Sequence, residues 1–420
     1  MTALGFWELV VLVFRCIVDE FCDFYASRKS SSPTWSLWNQ PFTLLPLEIV
    51  AKIVESLPKC DQIDPKESSL ALQRTLASCS RSSRALYRYS QRELLRRPYW
   101  TQNLAGCERM LLDSPHFLDH IERITIDLRD DDAVLSFESR AAARIVSMMS
   151  SSRLRSLGLM NVKGVGAHDL SAIPHLERLH CHAMNSPVYS WHSATPLANL
   201  TCLSLSAIHL PHPIGDSIPV SELYTPTMLP NLEAIEIDEC CIRIVSKLNS
   251  FENLRYLALR CSCTRCIPNL RLYETLLHPL ELFELNTHPY FLKFFRNYSS
   301  LLPRFKRLRV SSEYLRFRSS KTDIAILEVL IEGLRRDDSS PLQDLIHLYL
   351  PKYWLEYDSE EVQGYCAELI ELAKSKGVRV DFDVADEGTR MNRAARAACF
   401  VSDFWSTVDR LKAREKLEAR

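Results

Sequence analysis

The chain has 420 residues, 46% of them hydrophobic, and its 51 Lys and Arg against 52 Asp and Glu leave a formal charge of -1. That length allows two or three domains of roughly 100 to 200 residues with large cores, while the neutral balance excludes a global basic field for holding nucleic acid or an anionic membrane. Glycine supplies 10 of 420 positions, about 2.4% against a usual share near 7%; the nearest approach to a phosphate loop, Gly164-Val165-Gly166, lacks a third glycine and a following Lys-Ser/Thr, which argues against a Rossmann or P-loop enzyme.

Residues 1–41 open with an apolar run, Leu9-Val10-Val11-Leu12-Val13-Phe14, that no basic residue precedes and that Glu8 and Arg15 bound. On a helical wheel Phe6, Val10, Val13, Phe14, Ile17, Phe21 and Phe24 share one face, with Glu8, Arg15, Asp19 and Asp23 opposite. The pattern predicts an amphipathic helix docked on the body of the protein, with weak membrane contact as the alternative and no membrane span. Ser30-Ser31-Ser32-Pro33 then reads as a linker. The 14 cysteines, many inside apolar runs, read as free thiols in a reducing compartment, cytoplasmic or nuclear.

Residues 42–100 predict a small helical domain. Ile49, Val50, Ile53, Val54 and Leu57 recur at helical spacing after Pro46 until Pro58 ends the run, and Leu72, Leu76, Cys79, Leu86 and Tyr89 carry a second helix towards Tyr99-Trp100. Arg84, Arg88, Arg92 and Arg96 form a basic stripe on it, either a solvated face or a contact for an acidic partner. No aromatic side chains interleave with the stripe, so nucleic acid is not expected.

From residue 101 to 385 one frame recurs: apolar, two variable positions, apolar, one variable, apolar. It occurs at Ile121-Ile124-Ile126, Leu154-Leu157-Leu159, Leu176-Leu179-Cys181, Leu200-Leu203-Leu205, Leu232-Ile235-Ile237, Leu254-Leu257-Leu259, Leu280-Phe283-Leu285, Phe305-Leu308-Val310 and Leu345-Leu348-Leu350. The spacing, mostly at or just above a leucine-rich period of roughly 20 to 29 residues, predicts short parallel strands stacked into a curved solenoid. Two stretches break the period, His209 to Met228 and Ser311 to Pro341, and read as candidate recognition loops or as tolerated surface variation. Glu360 to Lys376 predicts a helix, Val378 to Phe382 a last strand, and the tail, residues 386–420, a charged helix capping the final edge of the core.

Hydrolase and zinc-ribbon motifs are missing from the sequence, so no catalytic residue is assigned. Cys240, Cys241, Cys261, Cys263 and Cys266 lie where two neighbouring repeats leave their strands; packing as free thiols is the favoured reading, with zinc the alternative, and no metal or other cofactor is expected. Strand alternation turns the variable positions towards the concave side: Arg123, Thr125 and Asp127; His180 and His182; Glu236 and Asp238; Tyr256 and Arg260; Glu284; Arg307 and Arg309; Tyr349. This mixed polar ladder is expected to be exposed and to bind a protein target. Glu236, Asp238 and Arg260 stand at its centre, where reversing Asp238 and Arg260 should cost little stability.

Leu44-Leu45-Pro46-Leu47-Glu48-Ile49, followed by Ile53 and Leu57, resembles the opening of an F-box, and Leu76 to Tyr87 resembles the family's later stretch. The 61–69 insert is longer than usual, and Ala85-Leu86 stands where a Trp is common. With the repeats that follow, the chain resembles an F-box protein with C-terminal leucine-rich repeats, most of all the fungal type. The implied fold is α/β: a small helical F-box, an irregular leucine-rich-repeat solenoid and a C-terminal capping helix. The resemblance implies a substrate-recognition subunit of a Skp-cullin-F-box ubiquitin ligase. Leu45, Pro46, Glu48, Ile49, Ile53, Leu57, Leu76 and Cys79 would dock the Skp-type adaptor, and through it a cullin, while the repeats hold a protein substrate. A leucine-rich-repeat scaffold unconnected with ubiquitin is the alternative.

Overall fold

The computed structural model describes residues 93–101, 103–128, 132–162, 164–182, 195–206, 225–238, 251–260, 279–286, 304–311, 320–336, 342–356, 359–383, 398–400 and 402–418. The expected N-terminal helix, the F-box-like segment as far as residue 92 with its adaptor residues, the five-cysteine cluster and the 209–224 part of the first period break lie outside the described residues.

The protein is α/β, with an open, curved, all-parallel sheet of 11 strands whose spatial order is their chain order. The strands are β1 (Tyr99–Trp100), β2 (Arg123–Asp127), β3 (Ser156–Met160), β4 (Arg178–His182), β5 (Cys202–Ser206), β6 (Ala234–Asp238), β7 (Tyr256–Arg260), β8 (Leu282–Asn286), β9 (Arg307–Ser311), β10 (His347–Pro351) and β11 (Arg379–Asp383). Each apolar frame supplies one of the strands β2 to β10. Parallel pairing follows because every strand must return to the same end of the sheet before the next begins, which only a long connection allows.

The apolar pair inside each strand points to one face. Leu157, Leu159, Leu203, Leu205, Leu257 and Leu308 are buried there in one continuous core. The same core takes the apolar stripes of α2 (Asp132–Met148), α4 (Ser320–Arg335) and α5 (Glu360–Ser375), through Ile145, Leu327, Leu330 and Leu369 among others. Among the described residues there are also two shorter α-helices, α1 (Leu104–Asp113) and α3 (Ala167–Ser171), and the long C-terminal α6 (Asp403–Glu418). Helix α1 is tied to α2 by a bidentate pair from Arg144 to Glu108.

Two ladders hold the strand order. The Asn immediately before three of the frames reaches back one repeat: the Nδ2 groups of Asn199, Asn231 and Asn253 donate to the carbonyls of Pro174, Ala198 and Pro230, the last two at 2.7 and 3.0 Å. The residue just before each strand from β2 to β9 forms the second ladder: Glu122, Arg155, Glu177, Thr201, Glu233, Arg255, Glu281 and Lys306. Acid and base alternate along it except at Thr201, giving cross-strand pairs such as Arg255 to Glu281 at 3.5 Å and Lys306 to Glu281 at 2.7 Å. Exchanging two neighbouring strands would bring like charges together, which is destabilising.

Three expectations need correction. The stretch Ser311 to Pro341 contains α4, a 16-residue helix with Ile326, Leu327, Leu330 and Ile331 in the core; the apolar residues recur at helical spacing, so they had to be buried. Tyr99 and Trp100 form a strand beside Thr125 and Ile126 instead of ending a helix. Finally, α6 does not cap the last strand. It lies on the concave face across the middle of the sheet, where Phe400, Phe404, Trp405 and Val408 pack on Cys202, Ala234, Tyr256, Ala258, Leu282 and Tyr349.

Candidate functional site

Strand alternation sends every second side chain to the concave face, and the register aligns them in rows. One row runs Thr125, Gly158, His180, Ser204, Glu236, Ala258, Glu284, Arg309 and Tyr349 from β2 to β10. A second row includes Asp127, Met160, His182, Ser206, Asp238 and Arg260. The expected ladder residues therefore share this face, but their expected exposure is overturned. His180, Glu236, Asp238, Tyr256, Arg260, Glu284, Arg309 and Tyr349 are all buried, as are Thr125 and Asp127, while Arg123, His182 and Arg307 are half-buried. The physical reason lies over the first of these rows, where α6 takes the place of solvent.

Six of the buried polar residues on this face, His180, Ser204, Glu236, Arg260, Glu284 and Arg309, form one connected network. His180 Nδ1 lies 2.8 Å from Ser204 Oγ, and Ser204 donates to Glu236 Oε2 at 2.7 Å. Arg260 bridges two carboxylates, with Nη1 2.9 Å from Glu236 Oε1 and Nε donating to Glu284 Oε1 at 2.8 Å. Arg309 stands 3.5 Å from the other oxygen of Glu284. Within this group of four, Glu236 and Glu284 balance Arg260 and Arg309, and the buried Asp238 stands beside Arg260 in the register. That balance is what burial of ions requires, because a lone buried charge costs several kcal/mol, by order of magnitude. His182 repeats the motif on the next row, 2.7 Å from Ser206 Oγ.

A histidine, a serine and a carboxylate in line invite comparison with a nucleophilic triad, and the proton order answers it. A nucleophilic serine gives its hydrogen to the imidazole. Here Ser204 gives its hydrogen to Glu236 and so accepts from His180 Nδ1, leaving Nε2 deprotonated and, among the described residues, without a hydrogen-bond partner. Burial, with the neighbouring His182 adding to it, drives the His180 pKa well below the usual histidine value. The arrangement stores a neutral imidazole. It does not prime a serine for attack.

Helix α6 meets this face in two ways. Its aromatic end is anchored by Trp405, whose Nε1 donates to Glu236 Oε2 at 2.6 Å, and by Thr407, whose Oγ1 accepts from Arg309 at 2.7 Å. The segment just before it crosses β2 to β4, where Arg123 donates to the Cys399 carbonyl at 3.0 Å and Arg178 stacks over Phe400. A side chain at Gly158 would sit 2.8 Å from the Ala398 carbonyl oxygen, so the backbone there passes only because the strand has none. Nearer the rim the contacts become ionic: Asp409 pairs with Arg178, Lys412 with Glu233, and Glu415 with Arg255 in a bidentate pair at 2.7 and 2.9 Å. Tyr256 adds a hydrogen bond to Glu415 at 3.2 Å.

Arg307 pairs with Glu281 at the rim, at 2.8 Å. Although burial pushes the Glu281 carboxyl upward, Lys306, Arg255 and Arg307 together hold it below the ordinary glutamate value. Glu233, Arg255, Glu281 and Lys306 also line a polar cleft on this edge, together with Glu252, Asn253 and Pro279. Cys181 and Cys202 are buried free thiols, the former pushed up to about 12 by burial, so neither is a nucleophile. Among the described residues no His, Cys, Asp and Glu group could hold a metal ion, and no helix is long and apolar enough to cross a membrane. The basic stripe is described only at Arg96, which pairs with Glu122 and Glu93.

The residues that sequence reasoning placed elsewhere are those of α6. Phe404, Trp405, Val408 and Leu411 show helical apolar spacing, which predicts a helix with one sticky face but not its seat. The small side chains at Gly158, Ser204, Ala234 and Ala258 were the complementary signal, since variable positions of an exposed ladder have no reason to be small. Compared with known protein families and with curated proteins, the chain matches none.

Proposed function

We propose that the protein is the substrate-recognition subunit of a Skp-cullin-F-box ubiquitin ligase, an adaptor without catalytic chemistry of its own. The observation that supports this reading is the unbroken one-strand-per-repeat sheet, in which nine leucine-type frames each supply a strand, downstream of a segment that resembles an F-box. Arrays of this kind present large surfaces to protein ligands. In this reading Leu45, Pro46, Ile49, Ile53 and Leu57 form the apolar surface that meets the adaptor, with Glu48, Leu76 and Cys79 beside it. Each large apolar side chain, if fully buried there, contributes roughly 1.5 to 3 kcal/mol. The proton order of His180, Ser204 and Glu236 supports a binding role over hydrolysis.

Affinity capture by recombinant Skp-type adaptor tests the proposal. The wild-type chain is expected to be retained, and Ile49→Asp or the double change Leu45→Ala with Pro46→Ala to abolish retention. Absence of wild-type capture refutes the ubiquitin assignment and leaves a repeat scaffold of another kind.

A further inference from the structure

With α6 seated on the concave face, the last strand, β11, keeps an open edge. In a parallel ladder alternate residues bond to alternate neighbours. The Arg379 amide donates to the Ile346 carbonyl at 3.0 Å, which assigns Arg379, Asp381 and residue 383 to β10 and turns the N–H and C=O groups of Val380 and Phe382 outward. Among the described residues no strand lies beyond them. Burial agrees. Leu308, Leu348 and Leu350, at matching register positions on β9 and β10, are 0% exposed, whereas Val380 and Phe382 are only half-buried. Helix α5 has an unfinished side as well: Tyr365 and Glu368 reach Glu328 and Arg335 of α4, while the half-buried Ile370 stands on the far side of the helix.

A strand edge with unpaired main-chain groups is a template for another strand, and this edge fits itself. In an antiparallel pairing that is two-fold symmetric about Asp381, Val380 of one chain comes opposite Phe382 of the other. Both are then hydrogen-bonded pairs, so the four outward groups of each chain bond to those of its copy. The apolar side chains of these pairs lie on the core side, where each closes the half-exposed end of the other's core. On the concave side Arg379 comes opposite position 383, an aspartate in the sequence, which is a favourable cross-strand pairing. Asp381 meets its own copy on the axis, but each is already held by His347 at 2.9 Å and by Arg379 at 3.0 Å. A two-fold centred on Val380 fits less well: it would set Phe382 opposite Val378, whose N–H already donates to the Ala373 carbonyl at 2.8 Å.

We infer that the outer edge of β11 is an interface between two copies of this chain, which join their sheets antiparallel about a two-fold axis through Asp381. The self-match of the edge selects a second copy over a strand of another protein, because the same five residues supply both halves of every contact. The two concave faces lie on the same side of the joined sheet. The inference is independent of the ubiquitin assignment.

Sedimentation velocity of the full chain over the micromolar range is expected to show a monomer–dimer equilibrium. Val380→Pro removes an outward N–H that the monomer's own sheet does not use, and proline is tolerated at such edge positions. That variant should keep the far-UV circular dichroism of the wild type and dimerise about tenfold or more weakly, since the lost bond occurs twice in the dimer. Asp381→Cys reads the register. The two copies of residue 381 would face each other as a non-hydrogen-bonded pair with Cα atoms about 4.5 Å apart, within reach of a disulfide. Mild oxidation should therefore give Asp381→Cys a covalent dimer, seen on a non-reducing gel, in clear excess over the wild type and over Arg379→Cys, whose two thiols would lie too far apart. A wild type that stays monomeric leaves the edge to a strand of another protein and overturns the inference. Equal dimerisation of the wild type and a folded Val380→Pro variant overturns it too, by placing the interface elsewhere. Should Val380→Pro lose the folded spectrum, the cysteine variants decide, and no excess of covalent dimer from Asp381→Cys over Arg379→Cys refutes the pairing.

Discussion

Replacing Arg260 with leucine removes the cation that bridges Glu236 and Glu284, side chains 1% and 0% exposed, from a site where Arg260 itself is 6% exposed. Among Glu236, Glu284, Arg260 and Arg309 the balance then shifts by one charge, leaving two carboxylates against the single guanidinium of Arg309, with the buried Asp238 next to the vacated position. Glu236 retains its hydrogen bonds from Ser204 and Trp405, and Glu284 keeps its ion pair with Arg309 at 3.5 Å, but none of the three replaces the lost charge. Breaking a buried pair in this way costs about 3 to 5 kcal/mol, whereas an exposed pair such as Arg155 with Glu177 contributes about 0 to 1 kcal/mol. The double variant Arg260→Leu with Glu284→Leu restores the balance, one carboxylate against one guanidinium, and should be more stable than Arg260→Leu alone although more contacts are missing. Urea unfolding followed by far-UV circular dichroism, with the four proteins of the cycle side by side, measures both quantities. A loss below about 1 kcal/mol for Arg260→Leu, or a double variant that simply sums the single losses, would mean that water reaches these charges and that the burial argument is wrong. The charge reversal of Asp238 with Arg260, which an exposed ladder would tolerate, is expected to be strongly destabilising for the same reason.

Gly158→Val should expel the 398–400 backbone, since an ideal Cβ already sits 2.8 Å from the Ala398 carbonyl oxygen and 3.2 Å from Thr125 Cγ2; a loss of about 1 to 3 kcal/mol is expected, with faster protease cleavage after residue 397, and an unchanged cleavage pattern would contradict it. Burial lowers the pKa of His180, and likewise that of His347, where the opposing pull of Asp381 is outweighed. Near pH 6.5 the unfolded chain therefore takes up a proton at His180 that the folded chain does not, so stability is fullest above that pH and falls by up to about 1.4 kcal/mol per pH unit for this imidazole as the pH drops, with His347 contributing in the same direction. Urea midpoints between about pH 7.5 and 5.5 measure the slope, His180→Asn should remove its share, and a flat wild-type profile would refute the burial of the His180 ring. Asn231→Ala deletes the 2.7 Å bond to the Ala198 carbonyl and should cost about 0.5 to 1.5 kcal/mol; no measurable change would show that the alternating charges alone hold the strand order.

Strands β2 to β10, their order and which of their residues face the core followed from the sequence because each is a local consequence of a repeated frame, whereas β1 carries no such frame. Leu157 and Leu159 two apart demand a half-buried strand, and a spacing that allows a return path demands a parallel neighbour. Helix α5 was legible for the same reason. Helix α4 was equally periodic, at Ile326, Leu327, Leu330, Ile331 and Leu334, but lay inside a break of the longer period. What covers the concave face could not be read this way. An alternating row such as Glu236, Ala258, Glu284 and Arg309 has the same composition whether it meets water or a helix of matching charge. The deciding partners, Trp405 and Glu236, stand 169 positions apart. Only the closed tertiary structure brings the tail back over the sheet, because the contacts that hold it there exist only once the strands have aligned their side chains into a surface.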